Sequence, residues 1–306
     1  LKVLITGATG YIGTYLLQYL SKKDRYLITA LDIRNPVTSF DKKSIKLTLK
    51  DFTTLTKKDL VGYDAIIHLA GISGHADADA DWKRAVKLNI WGTLDLAELA
   101  KEAGVKKFIF PSTSSVYQVS LGDEKFFNES AKVRPLDVYS VTKYEAENKI
   151  LPLASNNFQV IIPRIGSVYG HSPRMRWDIL VNVLSYYALK KGLITIYDEG
   201  KAWRPLIYIA DVARFYDWAL SQKVDSGIFN IIEGNYTVGE VAQVLIDNLR
   251  QKKVKLAVRP IENPQEVFSY KMDSAKAENS GFRSQFKFKD VIAEELKIWE
   301  KRKEFN

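Results

Sequence analysis

The chain has 306 residues, of which 46% are hydrophobic and 26% charged, the balance of a soluble globular protein long enough for one large domain or two ordinary ones, and not of a disordered one. It contains no cysteine, which excludes disulfides, cysteine–zinc sites and thiol nucleophiles, and no apolar run approaches the ~18 residues that a membrane span needs. The formal charge of +9 favours anionic partners, yet the basic residues are interspersed and form no zinc-finger, RNP-type or basic-zipper pattern, so neither nucleic acid nor a membrane is an expected partner.

Short β-rich runs alternate with longer helical patterns through the first half. Strands are predicted at Val3–Thr6, Leu27–Leu31, Ile45–Leu49, Ala65–Leu69 and Lys107–Phe110, and helices at Tyr11–Lys22, Thr54–Leu60 and Trp82–Ala103. Continuous apolar strands separated by helices imply a parallel sheet covered on both faces, because only a crossover can join parallel neighbours. A helix from Val138 to about Leu153 and a strand at Gln159–Pro163 follow. After about Gly166 the pattern loosens into short strands (Ile194–Tyr197, Gly227–Ile231) and helices at Ile179–Lys190, Ile209–Leu220, Val238–Arg250, Ser274–Glu278 and Lys289–Arg302. The expected architecture is α/β: a Rossmann-type, doubly wound parallel sheet over residues 1–166, with contributions from later segments, and a smaller C-terminal substrate-binding region over 167–306. The chain opens directly on a strand, so no signal peptide and a cytoplasmic setting are expected.

The first strand runs into Thr6-Gly7-Ala8-Thr9-Gly10-Tyr11-Ile12-Gly13 and then a helix. Gly7 allows the tight turn, Gly10 lets backbone approach a pyrophosphate, and Gly13 lets helix pack on strand. The pyrophosphate then rests on unpaired N–H groups at the helix N-terminus. Asp32 lies 19 residues after Gly13 at the end of the second strand, where a carboxylate bonds a ribose 2′-hydroxyl and repels a 2′-phosphate, favouring NAD over NADP. Arg34 is a counter-signal, since a nearby arginine accommodates that phosphate.

Tyr139 and Lys143 stand one helical turn apart on one face. An ammonium beside a phenol lowers its pKa from ~10 toward neutrality, which makes tyrosine a usable general acid/base. The pair gains specificity from the hydroxyls Ser112-Thr113-Ser114-Ser115 that follow the fifth strand. Asp77, Asp79 and Asp81 lack the glycine and distal glutamate of a calcium loop and are expected in a solvated loop. His68, His75 and His171 share no metal-ligand spacing, and no metal is expected.

With TGATGYIG (Thr6–Gly13), HLAG (His68–Gly71), NIWGT (Asn89–Thr93), PSTSSVY (Pro111–Tyr117), YSVTK (Tyr139–Lys143), RIGSVYG (Arg164–Gly170) and WRPLIYIADVA (Trp203–Ala213) in order along nearly the whole chain, the sequence resembles the extended short-chain dehydrogenase/reductases. Within them it is similar to the NAD-dependent nucleotide-sugar epimerase/dehydratase branch, and UDP-glucose 4-epimerase-like. The resemblance implies NAD as cofactor and a sugar or nucleotide-sugar substrate. It places Asp51 and Phe52 beside the adenine and Leu69, Ala70 and Gly71 along the cofactor, with Asn89 supporting the helix beneath. Thr113 would bond the reacting hydroxyl, Tyr139 exchange its proton, Lys143 hold the nicotinamide ribose, and Arg204 contact the diphosphate. A homodimer through Trp82–Ala103 and Val138–Leu153 is likewise implied.

The departures narrow the reaction. Dehydratases of this branch follow the catalytic threonine with Asp-Glu, and decarboxylases carry Thr-Ser-Glu; Ser114 and Ser115 stand there instead. Epimerase-reductases of the fucose type need a cysteine. A 4-epimerase working through a transient 4-keto sugar is therefore the leading expectation. Net dehydrogenation is the alternative: HLAGIS (His68–Ser73), RIGS (Arg164–Ser167) and Arg174 also resemble uronate dehydrogenases, making Ser73, Ser114, Ser167 and Arg174 candidate substrate contacts, with Arg176 as a further clamp. The usual phosphate-binding arginine ahead of Asp273–Ala277 is missing from Ile261–Val267. A non-catalytic NAD-binding regulator is the reading from another class, and the intact Thr113, Tyr139 and Lys143 argue against it.

Overall fold

The structure, a computed structural model, describes residues 1–40, 43–120, 126–260 and 268–305. Its centre is a parallel sheet. β1 (Lys2–Thr6), β2 (Leu27–Asp32), β3 (Ile45–Leu49), β4 (Ala65–His68), β5 (Lys107–Ile109) and β6 (Gln159–Ile165) lie in the order β6-β5-β4-β1-β2-β3, and Gly227–Ile231 returns from late in the chain to pair with β6 as the outer strand. Ser112–Thr113 adds a short parallel pairing on β6 at Arg164 and Ile165. The strands read as unbroken apolar runs because both faces are covered: Val3, Leu4, Ile5, Ile66 and Ile67 are all buried. Order reverses between β1 and β4, where a doubly wound sheet opens its ligand crevice.

Helices sandwich this sheet. α1 (Tyr11–Leu20) and Ile209–Ser221 share one core with β1 and β2, built on Leu16, Leu17, Phe215 and Tyr216. Thr93–Glu102 and α2 (Val138–Ile150) enclose the other with Leu96, Ala100, Phe108, Ala146 and Ile150. The helix predicted at Trp82–Ala103 is divided: Trp82–Ala85, a π-helical Val86–Gly92, then Thr93–Glu102. The wider turn seats Gly92 against the Phe52 ring, 3.1 Å from where a Cβ would sit, and holds Asn89 where its amide bonds both Ile72 and Thr142. Such π turns recur at functional sites.

Beyond Ile165 the chain builds a second core from Leu180–Lys191, Val238–Asn248 and Phe288–Glu300, around Leu184, Ile194, Leu245, Phe288 and Trp299. Its strands were the least legible elements. Trp203–Tyr208 pairs with Ser167–Tyr169 and Gly234–Thr237, and Leu193–Tyr197 with Lys255–Arg259; arginine, proline and glycine interrupt the apolar pattern in several of them. The acidic run expected as a loop is instead a helix, His75–Ala80, in which alanines supply helix propensity, and Asp81 caps the next helix by accepting from the Arg84 amide at 3.1 Å. The stretch 261–267 lies outside the described residues. Among the described residues, no helix is long and apolar enough to cross a membrane.

Candidate active site

The crevice between β1 and β4 is set by backbone packing. Gly7 has φ +65°, and a Cβ there would lie 2.5 Å from the Ala70 amide nitrogen; a Cβ on Gly13 would lie 2.5 Å from the Gly7 carbonyl oxygen. A side chain at Gly7 would push the glycine loop off the loop after β4, and one at Gly13 would push α1 off the glycine loop. Gly10 is the N-cap of α1 and supplies no side-chain cap, which leaves the first N–H groups of the helix for an anion. Ile12 packs on the core beneath. Ala70 donates its N–H to Thr6 Oγ1 at 3.3 Å, holding Leu69–Gly71 along the floor of the crevice.

At its far end the buried Asp32 carboxylate accepts from the Thr9 amide through Oδ2 and the Arg34 amide through Oδ1, both at 3.0 Å, with the Arg34 Nε at 3.8 Å. Asp51 caps its own turn by accepting from the Thr53 amide at 2.9 Å, whereas the Phe52 ring turns inward, edge-on to His68 at 4.7 Å. His68 is a structural residue, bonded to Thr6 Oγ1 at 2.7 Å and Thr93 Oγ1 at 3.1 Å. Burial holds it neutral, its pKa pushed down to about 3. An uncapped helix end over a glycine loop, with a buried carboxylate at the end of β2, fits a dinucleotide.

The side chains expected to carry the chemistry gather around the start of α2 and the Ser112–Thr113 strand. Asp137 caps α2 by accepting from the Ser140 amide at 2.9 Å, and the helix carries Tyr139 and Lys143 on its inner face. Tyr139 is within hydrogen-bonding reach of Thr113, whose Oγ1 accepts from the Ser115 amide at 3.2 Å. The His75 ring stands edge-on to Tyr139 at 5.5 Å and its Nδ1 pairs with Asp137 at 2.9 Å. The Ser114 hydroxyl and the buried Tyr270 hydroxyl are 3.3 Å apart.

The electrostatics differ from the expectation that Lys143 lowers the tyrosine. Burial raises the pKa of Tyr139, and the cation that most opposes burial is Arg176. The Lys143 Nζ lies 3.8 Å over the Phe110 ring; burial pushes its own pKa down to about 7, opposed by Glu147. A lysine whose charged form burial disfavours and whose Nζ lies over an aromatic face is a weaker partner for a phenolate than helical spacing alone implies.

Helix α2 is fixed from below. Glu147, one turn beyond Lys143, forms a buried fork with Arg164 on β6: Nε to Oε1 at 3.0 Å and NH2 to Oε2 at 2.6 Å. Arg164 also donates to the Tyr117 hydroxyl at 2.6 Å, which donates to Asn230 Oδ1 at 2.9 Å on the outer strand. The spacing Tyr139, Lys143, Glu147 held this signal in the sequence, since all three lie on one helix face.

The segment 170–178 crosses above. Tyr11 donates its hydroxyl to the Gly170 carbonyl at 2.7 Å, and Ser172 Oγ donates to the Tyr11 carbonyl at 2.8 Å. Arg174 donates to the Asn35 carbonyl at 3.0 Å, so it is placed beside the Asp32–Arg34 loop and not beside Tyr139. Arg176 donates to Ser73 Oγ at 3.1 Å and forks onto Asp178 at 2.8 and 2.5 Å. Ser167 sits in a strand opposite Leu206. Arg204 donates to the carbonyls of Trp203 and Phe268; among the described residues no carboxylate pairs with it, which suits it to an anionic ligand. No cluster of acidic or histidine side chains among the described residues could hold a metal.

Comparison with known proteins agrees with this geometry. The model of the NAD-dependent epimerase/dehydratase family matches residues 3–231. The uncharacterized UDP-glucose epimerase YtcB of Bacillus subtilis is 32% identical over 229 residues, 70% of this chain and 71% of that protein. Two further relatives are 28% identical: a dTDP-D-glucose 4,6-dehydratase of Dictyostelium discoideum, over 75% of this chain and 58% of its own length, and a UDP-N-acetyl-α-D-glucosaminuronate decarboxylase of Bacillus cytotoxicus, over 85% and 84%. Among solved structures, UDP-glucuronic acid 4-epimerase from Bacillus cereus, in complex with UDP-glucuronic acid and NAD, superposes with a TM-score of 0.83 at 26% identity, covering 97% of this chain and 98% of that one.

Proposed function

The chain belongs to the NAD-dependent epimerase/dehydratase family, and from that premise we propose that it is a nucleotide-sugar 4-epimerase acting on a UDP-hexose or UDP-hexuronate through a transient 4-keto sugar. The observation that carries this choice is the pair Ser114 and Ser115. Both are buried behind Thr113, where the dehydratases and decarboxylases that the sequence resembles place a carboxyl group. The Asp137 carboxylate, two residues before Tyr139, is already committed to His75 and to capping α2. With no carboxyl group at positions 114 and 115 to expel a hydroxyl or drive loss of a carboxylate, what remains is oxidation and re-reduction at one carbon.

The residues divide the work. Thr113 orients the C4 hydroxyl and the Tyr139 phenolate accepts its proton. The glycine loop, Asp32 and Lys143 would hold NAD, which supplies the hydride acceptor and later the donor when bound. Arg204 anchors the diphosphate while the keto sugar turns its other face to the site, and Tyr139 returns the proton. Net dehydrogenation of a free uronate has weaker support: of its two candidate clamps, Arg174 bonds the Asn35 carbonyl and Arg176 is forked onto Asp178. A homodimer is proposed through the helical segments Trp82–Ala103 and Val138–Leu153, which leave Trp82, Trp91 and Val141 exposed.

A panel of UDP-hexoses and UDP-hexuronates incubated with the NAD-loaded protein and followed by proton NMR and absorbance at about 340 nm tests this. Interconversion of a C4 pair without accumulating NADH supports the epimerase. Lasting NADH, or a 4-keto-6-deoxy or decarboxylated product, overturns it.

A further inference from the structure

We propose that His75 is a positioning residue for Tyr139, clamping the first turn of α2 to the segment after β4 so that the phenol is held against Thr113. This rests on the reading of Tyr139 as the proton carrier. Tyr139 is the second residue of α2. The chain enters that helix through residues 132–136, which form no regular structure, so no preceding helix or strand steadies its first turn. Asp137 caps the turn, but its bonds to Ser140, at 2.9 and 2.8 Å, are local. Among the described residues the only hydrogen-bond partner of the Asp137 carboxylate outside α2 is His75, Nδ1 to Oδ1 at 2.9 Å. The same imidazole stands edge-on to Tyr139, with ring centroids 5.5 Å apart and planes at 76°, a geometry in which aromatic pairs attract. One side chain thus holds both the cap and the ring of the tyrosine.

The next turn of α2 has a bridge of the same kind. Asn89 donates to Thr142 Oγ1 at 3.1 Å and pairs with the Ile72 backbone through both amide atoms, at 2.9 and 3.0 Å. Asp137 and Thr142 straddle Tyr139, and Ile72 and His75 lie three residues apart, so the tyrosine is held between two ties to one segment. That segment runs on from Leu69–Gly71 at the floor of the crevice to Gly74, whose φ of +104° favours glycine and starts the helix His75–Ala80. The other groups near Tyr139 do not replace the clamp. Thr113 reaches the hydroxyl, Lys143 is directed at Phe110, and Arg176 is occupied by Asp178 and Ser73. The His75 side chain is half exposed, so these contacts, more than burial, are what its removal takes away.

The test uses the NAD-loaded protein and a C4 pair of UDP-sugars, with rates taken per bound NAD. His75→Ala removes both contacts and is expected to lower kcat by about ten- to a hundredfold, with KM and NAD content unchanged. His75→Asn keeps a donor for Asp137 and His75→Phe keeps a ring for Tyr139, so each is expected to recover part of the loss. A merely structural role would lower thermal stability and leave kcat per bound NAD unmoved; that result, or a loss confined to KM, overturns the proposal. A second arm needs no substrate. Tyrosine is labelled with 13C in the ring, and the Tyr139 signal among the 16 tyrosines is identified by its absence in Tyr139→Phe. Asp137→Ser retains a capping side chain but draws back the group that clamps His75. It is expected to displace and broaden the Tyr139 signal, and it serves if His75→Ala fails to fold. A signal as sharp as before and in the same place overturns the proposal. A displaced signal without turnover in the parent protein sinks the epimerase reading alone, and turnover with kcat unmoved in His75→Ala sinks His75 alone.

Discussion

The floor and the roof of the site are built differently. Below, α2 is held by a buried ion pair, Glu147 with Arg164, continued through Tyr117 to Asn230 on the outermost strand of the sheet. Above, the segment 170–178 is held by two hydrogen bonds to Tyr11, one each to Asn35 and Ser73, and further bonds to Asn182 and Arg302. The floor fixes Tyr139 and Lys143 to the sheet that positions the cofactor crevice. The roof encloses the same crevice through hydrogen bonds, several of them to backbone carbonyls, with no buried ion pair like the one below among the described residues.

The largest expected effect falls on the floor's chemistry. Tyr139→Phe lowers kcat by about a thousandfold or more while leaving bound NAD and thermal stability unchanged, measured by turnover, cofactor content and calorimetry on one preparation. Next comes the floor's anchor. Glu147→Gln leaves the Arg164 charge buried and unpaired and costs about 3–5 kcal/mol in urea unfolding, and the paired replacement Glu147→Leu with Arg164→Met recovers most of it. A small loss in Glu147→Gln would mean that floor and roof do not differ as described.

The roof responds in cofactor retention more than in stability. Asn182 is buried and bonds the Arg176 carbonyl, the Tyr11 hydroxyl and the Gly170 amide; Asn182→Ala is expected to cost about 1–3 kcal/mol and to speed NAD release measured by dilution. The smallest effect is one of pH. Hydrogen bonding to Arg176 holds the Asp178 carboxyl below its ordinary 3.8. A lowered carboxylate contributes stability that is present above the ordinary value and lost as pH falls through the depressed one. NAD release should therefore quicken modestly only below about pH 4, and Asp178→Asn should abolish that dependence.

Much of the floor was legible in the sequence because it depends on local rules. A parallel sheet buried on both faces shows itself as unbroken apolar runs, and Gly7, Gly10 and Gly13 declare a phosphate loop by their place between a strand and a helix. Tyr139 and Lys143 follow from helical spacing, although the direction Lys143 takes, onto Phe110, does not. The roof depends on contacts between distant segments, and sequence spacing carries none of them. Arg174 and Arg176 are two residues apart, and the loop each one reaches is decided by Asn35 and Ser73, more than a hundred positions earlier. The π turn at Val86–Gly92 was hidden for a related reason, since its cause is the meeting of Asn89 with Ile72 and Thr142.

The most direct measurement is the fate of hydrogen at C4. A UDP-sugar deuterated at that carbon, incubated with the NAD-loaded protein and analysed by NMR and mass spectrometry, is expected to give both C4 isomers with the deuterium still at C4 and no lasting absorbance of NADH. Deuterium lost to solvent, moved to another carbon or retained in accumulated NADH, with an oxidised, dehydrated or decarboxylated sugar as the product, would contradict a 4-epimerase.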